Sequence, residues 1–327
     1  MKTIAIICGG DSAEHDVSMR SAAGIESFLD AALYKIYKVE IHAGEWSALL
    51  PDGTRSTVDR NDFSFADGKV TVHPDFAYIT IHGAPGENGI LQGYFDLIGM
   101  PYSTCSVLVE AMTYDKFVLN NYLRAFGVSV ADSLLIKQGK SHEVSDQDIV
   151  ERIGLPCFVK PASGGSSFGT TKVKTIEALR PAIDVALKEG EDVMVEAFMK
   201  GTEVTCGCYK TKEKSVVLPV TEVVPQNEFF DYDAKYNGQV SEITPARISE
   251  KLTQRIQTLT ATLYDILGCH GIIRIDYIIT EGEKINLLEI NTTPGMTATS
   301  FIPQQVAAAG LKMSDVLRDI IEDTLSA

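Results

Sequence analysis

The sequence predicts an α/β protein, and two observations support this. Apolar runs of strand length alternate with amphipathic runs of helical length along all 327 residues. Glycine and proline separate most of these runs, as expected for turns. The length suffices for two or three domains, each with its own hydrophobic core. We therefore expect several α/β domains rather than one large sheet.

The first third of the chain is predicted to contain a strand, a helix and two further strands, at residues 3–8, 17–33, 34–42 and 77–81. An amphipathic helix begins near Ile90, and its apolar stripe ends at Gly99, a residue that commonly terminates helices. Pro101 follows and marks a boundary. Residues 1–102 are therefore predicted to form an N-terminal α/β domain.

The second third is predicted to begin with a helix over 113–126, with Thr113 as its N-cap. A strand at 155–160 continues into a glycine- and serine-rich segment, 162–169. The helix after Thr175 contains Pro181, so we expect it to begin later than its apolar pattern suggests. These elements predict a central domain over 103–195, and a strand at 192–198 opens the last third.

The last third contains a strand at 203–209 and then a stretch, 225–245, without sustained periodicity. An irregular run of this length is commonly a functional lid. Ser249 is a good N-cap for the amphipathic helix that follows. Strands at 271–279 and 284–289 come next, and two helices begin after Pro303 and Ser314. Residues 196–327 are therefore predicted to form a C-terminal domain that carries a lid over 225–245.

Composition excludes several function classes. Asp and Glu number 44 against 29 Lys and Arg, which gives a formal net charge of −15. A nucleic-acid or anionic membrane surface needs a basic footprint, so neither partner is expected. No apolar run approaches the roughly 18 residues of a membrane span, and the apolar start is too short for a signal peptide. The six cysteines are scattered, and the pair Cys206 and Cys208 has no second pair nearby. We expect reduced, buried thiols in a cytoplasmic protein.

A predicted β-hairpin brings four polar residues together. If Gly282 and Glu283 form a two-residue turn, Asp276 lies opposite Glu289, and Arg274 lies opposite Asn291. Directly opposed residues point to the same face, and so do residues two apart on one strand. One face of the hairpin would therefore carry two carboxylates, one amide and one guanidinium.

Two readings of this polar face are possible. Polar hairpin faces are usually just solvated, but the apolar neighbours Ile275, Leu288 and Ile290 weigh against a solvated hairpin. Carboxylates held close together repel one another unless a cation lies between them. Oxygen ligands select a hard ion, and few protein ligands combined with phosphate oxygens suit Mg²⁺, with Mn²⁺ as a possible substitute. The sequence therefore predicts a metal site on this face.

A glycine- and serine-rich loop follows Lys160. Successive backbone N–H groups and hydroxyls of such loops can cradle phosphate oxygens, and a lysine at the mouth adds charge. The segment lacks the Gly-Lys-Ser/Thr of a Walker motif. Gly9-Gly10 does not begin a G-x-G-x-x-G fingerprint, which counts against a dinucleotide-dependent reductase.

The lysine before a glycine loop, an acidic strand end and an Asp…Glu-x-Asn cluster together resemble the ATP-grasp ligases. Further segments resemble the D-alanine–D-alanine ligase family along the whole chain and in the same order: residues 9–18, 82–83, 87–89, 232–236 and 289–297. The resemblance implies an ATP-grasp fold of three α/β domains, with ATP between the central and C-terminal ones.

The resemblance also implies an activity. ATP would phosphorylate the carboxylate of one D-alanine, and the amine of a second would attack the acylphosphate to give D-alanyl-D-alanine for peptidoglycan precursors. ATP and Mg²⁺ are the implied cofactors, small molecules the implied partners, and a homodimer is expected. Alternatives are a D-alanyl-D-lactate or D-alanyl-D-serine ligase and a catalytically silent nucleotide-binding module of this fold.

Matching positions imply site residues. Glu14 would bind the first ammonium, His82 would approach the first carboxylate, and Arg274 with the Gly295 N–H would stabilise the tetrahedral intermediate. Ser166 and Tyr236 would link Glu14 to the lid, and Ser300 and Phe301 would receive the second D-alanine. The ATP-binding set is Lys116, Lys160, Glu196, Phe198, Met199, Glu203 and Lys235. The metal set is Asp276, Glu289 and Asn291.

Overall fold

The computed structural model describes residues 1–165, 168–190, 192–225 and 240–326. Its strands form three large sheets and one small pair, and helices pack between and outside them. The mixed α/β architecture agrees with the sequence prediction. No helix long and apolar enough to cross a membrane occurs in this described part.

The N-terminal sheet has the order β4-β3-β2-β1-β7. β1 is parallel to both β2 and β7, so its apolar residues are buried on both faces. Helix α2 ends at Gly99, whose φ of 68° is left-handed. The elements are β1 (Lys2–Gly9), α1 (His15–Phe28), β2 (Tyr34–His42), β3 (Glu45–Leu49), β4 (Arg55–Thr57), β5 (Phe65–Asp67), β6 (Val70–Val72), β7 (Phe76–Ile79) and α2 (Ile90–Ile98).

The second sheet is antiparallel, with the order β10-β9-β11-β8, and α5 and α6 cover it. Pro181 lies in the first turn of α6, where its missing N–H costs nothing, so the expected late start is confirmed. The elements are α3 (Val107–Tyr114), α4 (Lys116–Arg124), β8 (Ser133–Ile136), α5 (Asp146–Ile153), β9 (Cys157–Pro161), β10 (Thr171–Val173), α6 (Leu179–Glu189) and β11 (Val193–Ala197).

The single helix predicted over 113–126 is wrong, because the segment holds the end of one helix and the whole of the next. Thr113 lies inside α3, where its hydroxyl donates to the Val109 carbonyl at 2.9 Å. Asp115 adopts an extended backbone between the helices. It caps α4 by accepting hydrogen bonds from the N–H groups of Phe117 and Val118 at 3.0 Å.

The third sheet has the order β15-β14-β12-β16-β17, with β13 paired to β12. Ser249 caps α7, as predicted, by accepting from the Leu252 N–H at 3.2 Å. The elements are β12 (Thr202–Lys210), β13 (Ser215–Val217), β14 (Thr221–Pro225), β15 (Val240–Ile243), α7 (Glu250–Leu267), β16 (Ile272–Thr280), β17 (Lys284–Asn291), α8 (Phe301–Ala308) and α9 (Met313–Leu325).

The predicted irregular stretch 225–245 needs one correction. Residues 240–243 form β15, which pairs with β14, so the backbone hydrogen bonds there are those of a sheet edge. Residues 226–239 of the predicted lid lie outside the described residues.

The hydrophobic cores join distant parts of the chain. Apolar residues of α3 and α4 pack with α7 and the third sheet, whereas α8 and α9 pack with α1 on the N-terminal sheet. The Tyr34 hydroxyl donates to Glu322 Oε1 at 2.7 Å across that second contact. The second sheet has a core of its own. The division at residues 102 and 195 stays a prediction, and α3 and α4 add their core to the third sheet.

The six cysteines are free and buried. Cys206 and Cys208 lie in the core of the third sheet, and burial raises the pKa of each thiol to about 12. Thiols with so high a pKa are poor metal ligands and nucleophiles at neutral pH. The geometry agrees with a packing role for this pair.

Candidate active site

The β16–β17 hairpin pairs the polar residues as the sequence predicts. Arg274 lies opposite Asn291, and Asp276 lies opposite Glu289. Opposed residues share a face of the sheet, so these four side chains are neighbours. The predicted pairing is confirmed at the positions that matter for the site.

The predicted two-residue turn, however, is wrong. The connection is a three-residue turn, Glu281–Glu283, with left-handed backbone at Gly282 and Glu283. That extra residue would move Glu289 to the opposite face, but a β-bulge between Asp276 and Tyr277 restores the register. Tyr277 pairs with Leu287, so Leu288 is the additional residue of the bulge.

The guanidinium of Arg274 forms a bidentate ion pair with Asp276, with Nε–Oδ1 and Nη2–Oδ2 distances of 2.9 Å. Both side chains are buried. Asn291 Nδ2 lies 3.2 Å from Asp276 Oδ2 and 3.5 Å from Glu289 Oε1. A bidentate pair between buried partners fixes both side chains, so the direction of the Asp276 carboxylate is set by the strand itself.

The donor set of this cluster fits a hard divalent cation. Asp276 and Glu289 supply carboxylate oxygens, and a rotated Asn291 amide would supply a third oxygen. In the described part of the chain no group of three or more His, Cys, Asp or Glu side chains could hold a metal ion. Two carboxylates and one amide are few protein ligands, which suits a cation that also takes phosphate oxygens, as Mg²⁺ commonly does.

Two cavities meet at this hairpin. The larger one, of about 880 Å³, lies between the second and third sheets. The smaller one, of about 410 Å³, lies between the third sheet and the N-terminal sheet. Glu14, Lys116 and Glu289 line both cavities, and so do Gly164 and Gly165 of the glycine-rich loop. Molecules bound in the two cavities would therefore lie next to each other.

The larger cavity has one charged end and one aromatic side. Lys160 forms an ion pair with Glu196, which is almost completely buried, and Glu196 Oε1 has no hydrogen-bond partner in the described part of the chain. The ring centroids of Phe158 and Phe198 are 5.9 Å apart, and Lys172 Nζ lies 4.0 Å from the centre of the Phe198 ring. A buried acceptor beside aromatic rings suits a flat heterocycle with an amino group.

The smaller cavity has groups for both signs of charge. Buried His82 lies 3.2 Å from the Ser21 hydroxyl through Nε2, and 3.8 Å from Glu87 Oε1 through Nδ1. Arg274 lies over the Phe301 ring, with 5.2 Å between the guanidinium carbon and the ring centroid. Glu14 also lines this cavity. A small zwitterion would find both cationic and anionic partners here.

All predicted site residues that the structure describes line at least one of these cavities. The larger holds Lys116, Lys160, Glu196, Phe198, Met199, Glu203 and Asp276, and the smaller holds Glu14, His82, Arg274, Asn291, Gly295, Ser300 and Phe301. Glu289 lies at their junction. Ser166, Lys235 and Tyr236 lie outside the described residues. The individual roles stay predictions, because position alone does not assign them.

Two family models match this chain, in consecutive order. Residues 3–105 match the model "D-ala D-ala ligase N-terminus", and residues 122–322 match "D-ala D-ala ligase C-terminus". The chain belongs to the D-alanine–D-alanine ligase family. Solved structures of D-alanine ligases that resemble the chain confirm that its fold is the ATP-grasp fold of that family, and it is a carboxylate–amine ligase.

Relatives of this family resemble the chain along nearly its full length. A D-alanine–D-alanine ligase of Bacteroides fragilis is 68% identical and covers 98% of this chain and 99% of its own length. The solved VanG D-Ala:D-Ser ligase of Enterococcus faecalis is 32% identical, with a TM-score of 0.87 and 98% of each chain covered. A Bacillus anthracis D-alanine–D-alanine ligase solved with ATP is 27% identical, with a TM-score of 0.78, and covers 100% of this chain and 98% of its own.

One buried carboxyl close to the hairpin cluster was not predicted from the sequence. Glu110 of α3 is fully buried, and it accepts hydrogen bonds from the Cys105 N–H at 2.9 Å and is 2.6 Å from the Thr292 hydroxyl. Thr292 follows Asn291 directly. Glu110 falls on the same apolar stripe of α3 as Val109 and Met112, so a charged residue on that stripe was the available signal.

We predict that Glu110 makes stability fall as the pH rises. Burial raises the pKa of this carboxyl well above its usual range. The unfolded chain therefore loses the proton first, and the folded state loses stability from the ordinary glutamate pKa up to the raised one. Relative to wild type, Glu110→Gln should gain unfolding free energy as the pH rises above the ordinary glutamate pKa, by up to about 1.4 kcal/mol per pH unit.

Urea unfolding at several pH values measures this difference. Glu213→Gln, in the exposed loop after β12, is the matched control and should show no such trend. A Glu110→Gln difference that stays constant with pH would show that Glu110 ionises alike in both states.

Proposed function

We propose that this chain joins two D-alanine molecules into D-alanyl-D-alanine while ATP is converted to ADP and phosphate. The observation that supports this most is the junction of the two cavities at Glu289. One cavity offers aromatic and lysine groups suited to a nucleotide. The other offers paired acidic and basic groups suited to an amino acid. Phosphoryl transfer between two bound molecules needs such an arrangement.

The larger cavity would hold ATP. Lys116 and Lys160 would neutralise its phosphates, and the glycine-rich loop would supply backbone N–H groups. Glu196 would accept from the adenine amino group with its unpartnered oxygen. Phe198 and Met199 would pack against the base, and Lys235 would add a charge from the lid. Glu203, on the strand β12, would accept from the ribose hydroxyls.

The smaller cavity would hold both D-alanine molecules. Glu14 would bind the first ammonium, and His82 would approach the first carboxylate. Arg274 and the Gly295 N–H would stabilise the charge that develops on the acyl oxygen, because a buried donor aimed at that charge needs no reorganisation. Ser300 and Phe301 would receive the second D-alanine. Ser166 and Tyr236 would complete the contact between Glu14 and the lid, which would exclude water.

Asp276, Glu289 and Asn291 would hold Mg²⁺, or Mn²⁺ in its place. A divalent cation there would neutralise phosphate charge during the transfer. The side-chain oxygens of these three residues, and the position of Glu289 at the junction of the two cavities, support this assignment. The use of ATP supports a cytoplasmic location. We also propose three domains, with boundaries at residues 102 and 195.

Other members of the fold suggest a second acceptor. The VanG relative is named a D-Ala:D-Ser ligase, so D-serine is an alternative, and D-lactate is another. The 68% identity to a D-alanine–D-alanine ligase, against 32% to VanG, favours D-alanine. A silent nucleotide-binding module is disfavoured because Arg274, Asp276, Glu289 and Asn291 are all present and clustered.

We expect ADP release to depend on D-alanine, with D-alanyl-D-alanine as the main product when D-alanine, D-serine and D-lactate compete at equal concentration. Coupled ADP detection and mass spectrometry of the products measure both quantities. Arg274→Ala should reduce the rate by about 100-fold, since it removes a donor to the developing charge.

ADP release without D-alanine dependence would reject the ligase activity. If D-alanyl-D-lactate or D-alanyl-D-serine were the main product, D-alanine would be rejected as the preferred acceptor.

The expected homodimer is a further part of the proposal. Ile90 and Leu97 of α2, Leu108 of α3 and Phe126, just after α4, are large apolar side chains exposed on neighbouring elements. Such surfaces commonly bind a second copy of the same chain. Sedimentation equilibrium should give twice the 35.6 kDa chain mass, and Leu97→Glu with Leu108→Glu should return it to the monomer. A wild-type monomer at micromolar concentration would reject the homodimer.

A further inference from the structure

The proposed residue roles leave one substrate charge in the smaller cavity without a partner. Two D-alanine molecules bring two ammonium groups, but only Glu14 is assigned to an ammonium. In the described part of the chain, the acidic side chains that line this cavity are Glu14, Glu87, Glu242 and Glu289. The second ammonium needs an acidic partner in this cavity, because an ammonium that leaves water without one is costly. This inference rests on the proposed function.

Three of the four carboxylates already contact other groups of the protein. Glu87 Oε2 accepts from the Gly83 N–H at 2.7 Å, and its Oε1 lies beside His82. Glu289 belongs to the hairpin cluster at the cavity junction. Glu14 lies against the glycine-rich loop, where a Cβ added to Gly165 would come within 2.6 Å of Glu14 Oε2. Glu242 is the carboxylate that remains.

Glu242 lies on the side of the cavity where the second substrate is expected. It is on the edge strand β15 and lines the cavity together with Thr299, Ser300 and Phe301. Gln304 orients it, since Gln304 Nε2 donates both to the Glu242 carboxylate and to the Thr299 carbonyl, the latter at 2.7 Å. The carboxylate is thus fixed on the same wall as Ser300.

The electrostatic setting of Glu242 suits a carboxylate that receives a cation. It has no ion pair with a lysine or arginine among the residues that the structure describes, and Arg274 acts on it only from a distance. Neighbouring groups desolvate the carboxylate and raise its pKa, although the side chain remains open to the cavity. A raised pKa brings a carboxylate closer to the pKa of an amine and makes it a better proton acceptor.

We propose that Glu242 binds the ammonium of the second D-alanine and accepts the proton that this ammonium must lose before it can attack. The proton passes to a Glu242 oxygen, and the neutral amine forms a C–N bond with the acyl carbon of the acylphosphate. The C–O bond to phosphate breaks, and phosphate leaves with the electron pair. The second amine proton goes to the departing phosphate, and Glu242 returns its proton to solvent.

This proposed role predicts different effects on charged and uncharged acceptors. An acceptor that enters as an ammonium gains both a charge partner and a base from Glu242. An acceptor that enters uncharged, such as hydroxylamine near neutral pH, gains neither. The loss of Glu242 should therefore affect the two classes differently, whereas general damage to the cavity would affect both.

The test compares wild type with Glu242→Gln, which keeps the size and the hydrogen-bonding shape of the side chain. With ATP and saturating D-alanine, dipeptide formation should fall at least 10-fold. D-alanine hydroxamate formed in the presence of hydroxylamine should stay within about 3-fold of wild type, because acylphosphate formation does not need Glu242. Glu242→Asp should recover part of the dipeptide rate, and the exposed Glu213→Gln should match wild type.

The outcomes separate this inference from the proposed function. If wild type makes neither dipeptide nor hydroxamate, the ligase activity itself fails. If wild type makes both and Glu242→Gln lowers neither, or lowers both equally, Glu242 is not the ammonium partner. Thermal melting of the variants identifies misfolding, and Gln304→Leu, which releases the carboxylate without removing it, should give an intermediate loss of dipeptide alone.

Discussion

The register of the β16–β17 hairpin is the constraint on which the rest of the site depends. Side chains alternate between the faces of a strand, so a shift of one residue would turn Glu289 and Asn291 away from Asp276. The bulge at Leu288 offsets the three-residue turn and prevents this shift. The bidentate contact between Arg274 and Asp276 then fixes the first strand of the cluster. Both cavities take their common wall from this hairpin.

The N-terminal part reaches the hairpin through close packing of α1. A Cβ on Gly24 would come within 2.1 Å of the Met296 carbonyl, so only glycine lets α1 approach this segment. The Ser21 hydroxyl lies 3.2 Å from His82 Nε2 and accepts from the Met296 N–H at 3.3 Å. These contacts tie His82 and the middle of α1 to the loop that carries Gly295. The substrate groups of distant segments are thereby held against one hairpin.

Much of the fold could be predicted because its elements have simple patterns. Strand β2 and the start of α7 follow from an apolar run and from a serine cap. The hairpin cluster was predicted from alternation alone, although the two-residue turn was wrong and the unpredicted bulge at Leu288 offset that error. Bulges depend on packing between sheets and leave no clear local signal. The break at Asp115 was missed because Thr113 was taken as the N-cap, whereas Asp115 caps α4 and Thr113 belongs to the preceding helix α3.

Some site residues could be predicted from the sequence, and others could not. Positions within the matching segments were predicted, and those described by the structure line the two cavities. Glu110 and Glu242 were not predicted, because their settings come from tertiary contacts with Thr292 and Gln304, which are distant in sequence. A single sequence shows that a glutamate is present but not what desolvates it. Sequence pattern therefore predicts the shared chemistry better than the partners that orient it.

The proposed divalent cation would lie on the hairpin where the two cavities meet. Crystals grown with Mn²⁺ and a non-hydrolysable ATP analogue would locate that ion directly through its anomalous scattering. The account predicts a peak about 2 Å from oxygens of Asp276, Glu289 and Asn291, with phosphate oxygens of the analogue completing the shell. A peak bound by other residues, with Asp276 and Glu289 facing away from it, would contradict the account.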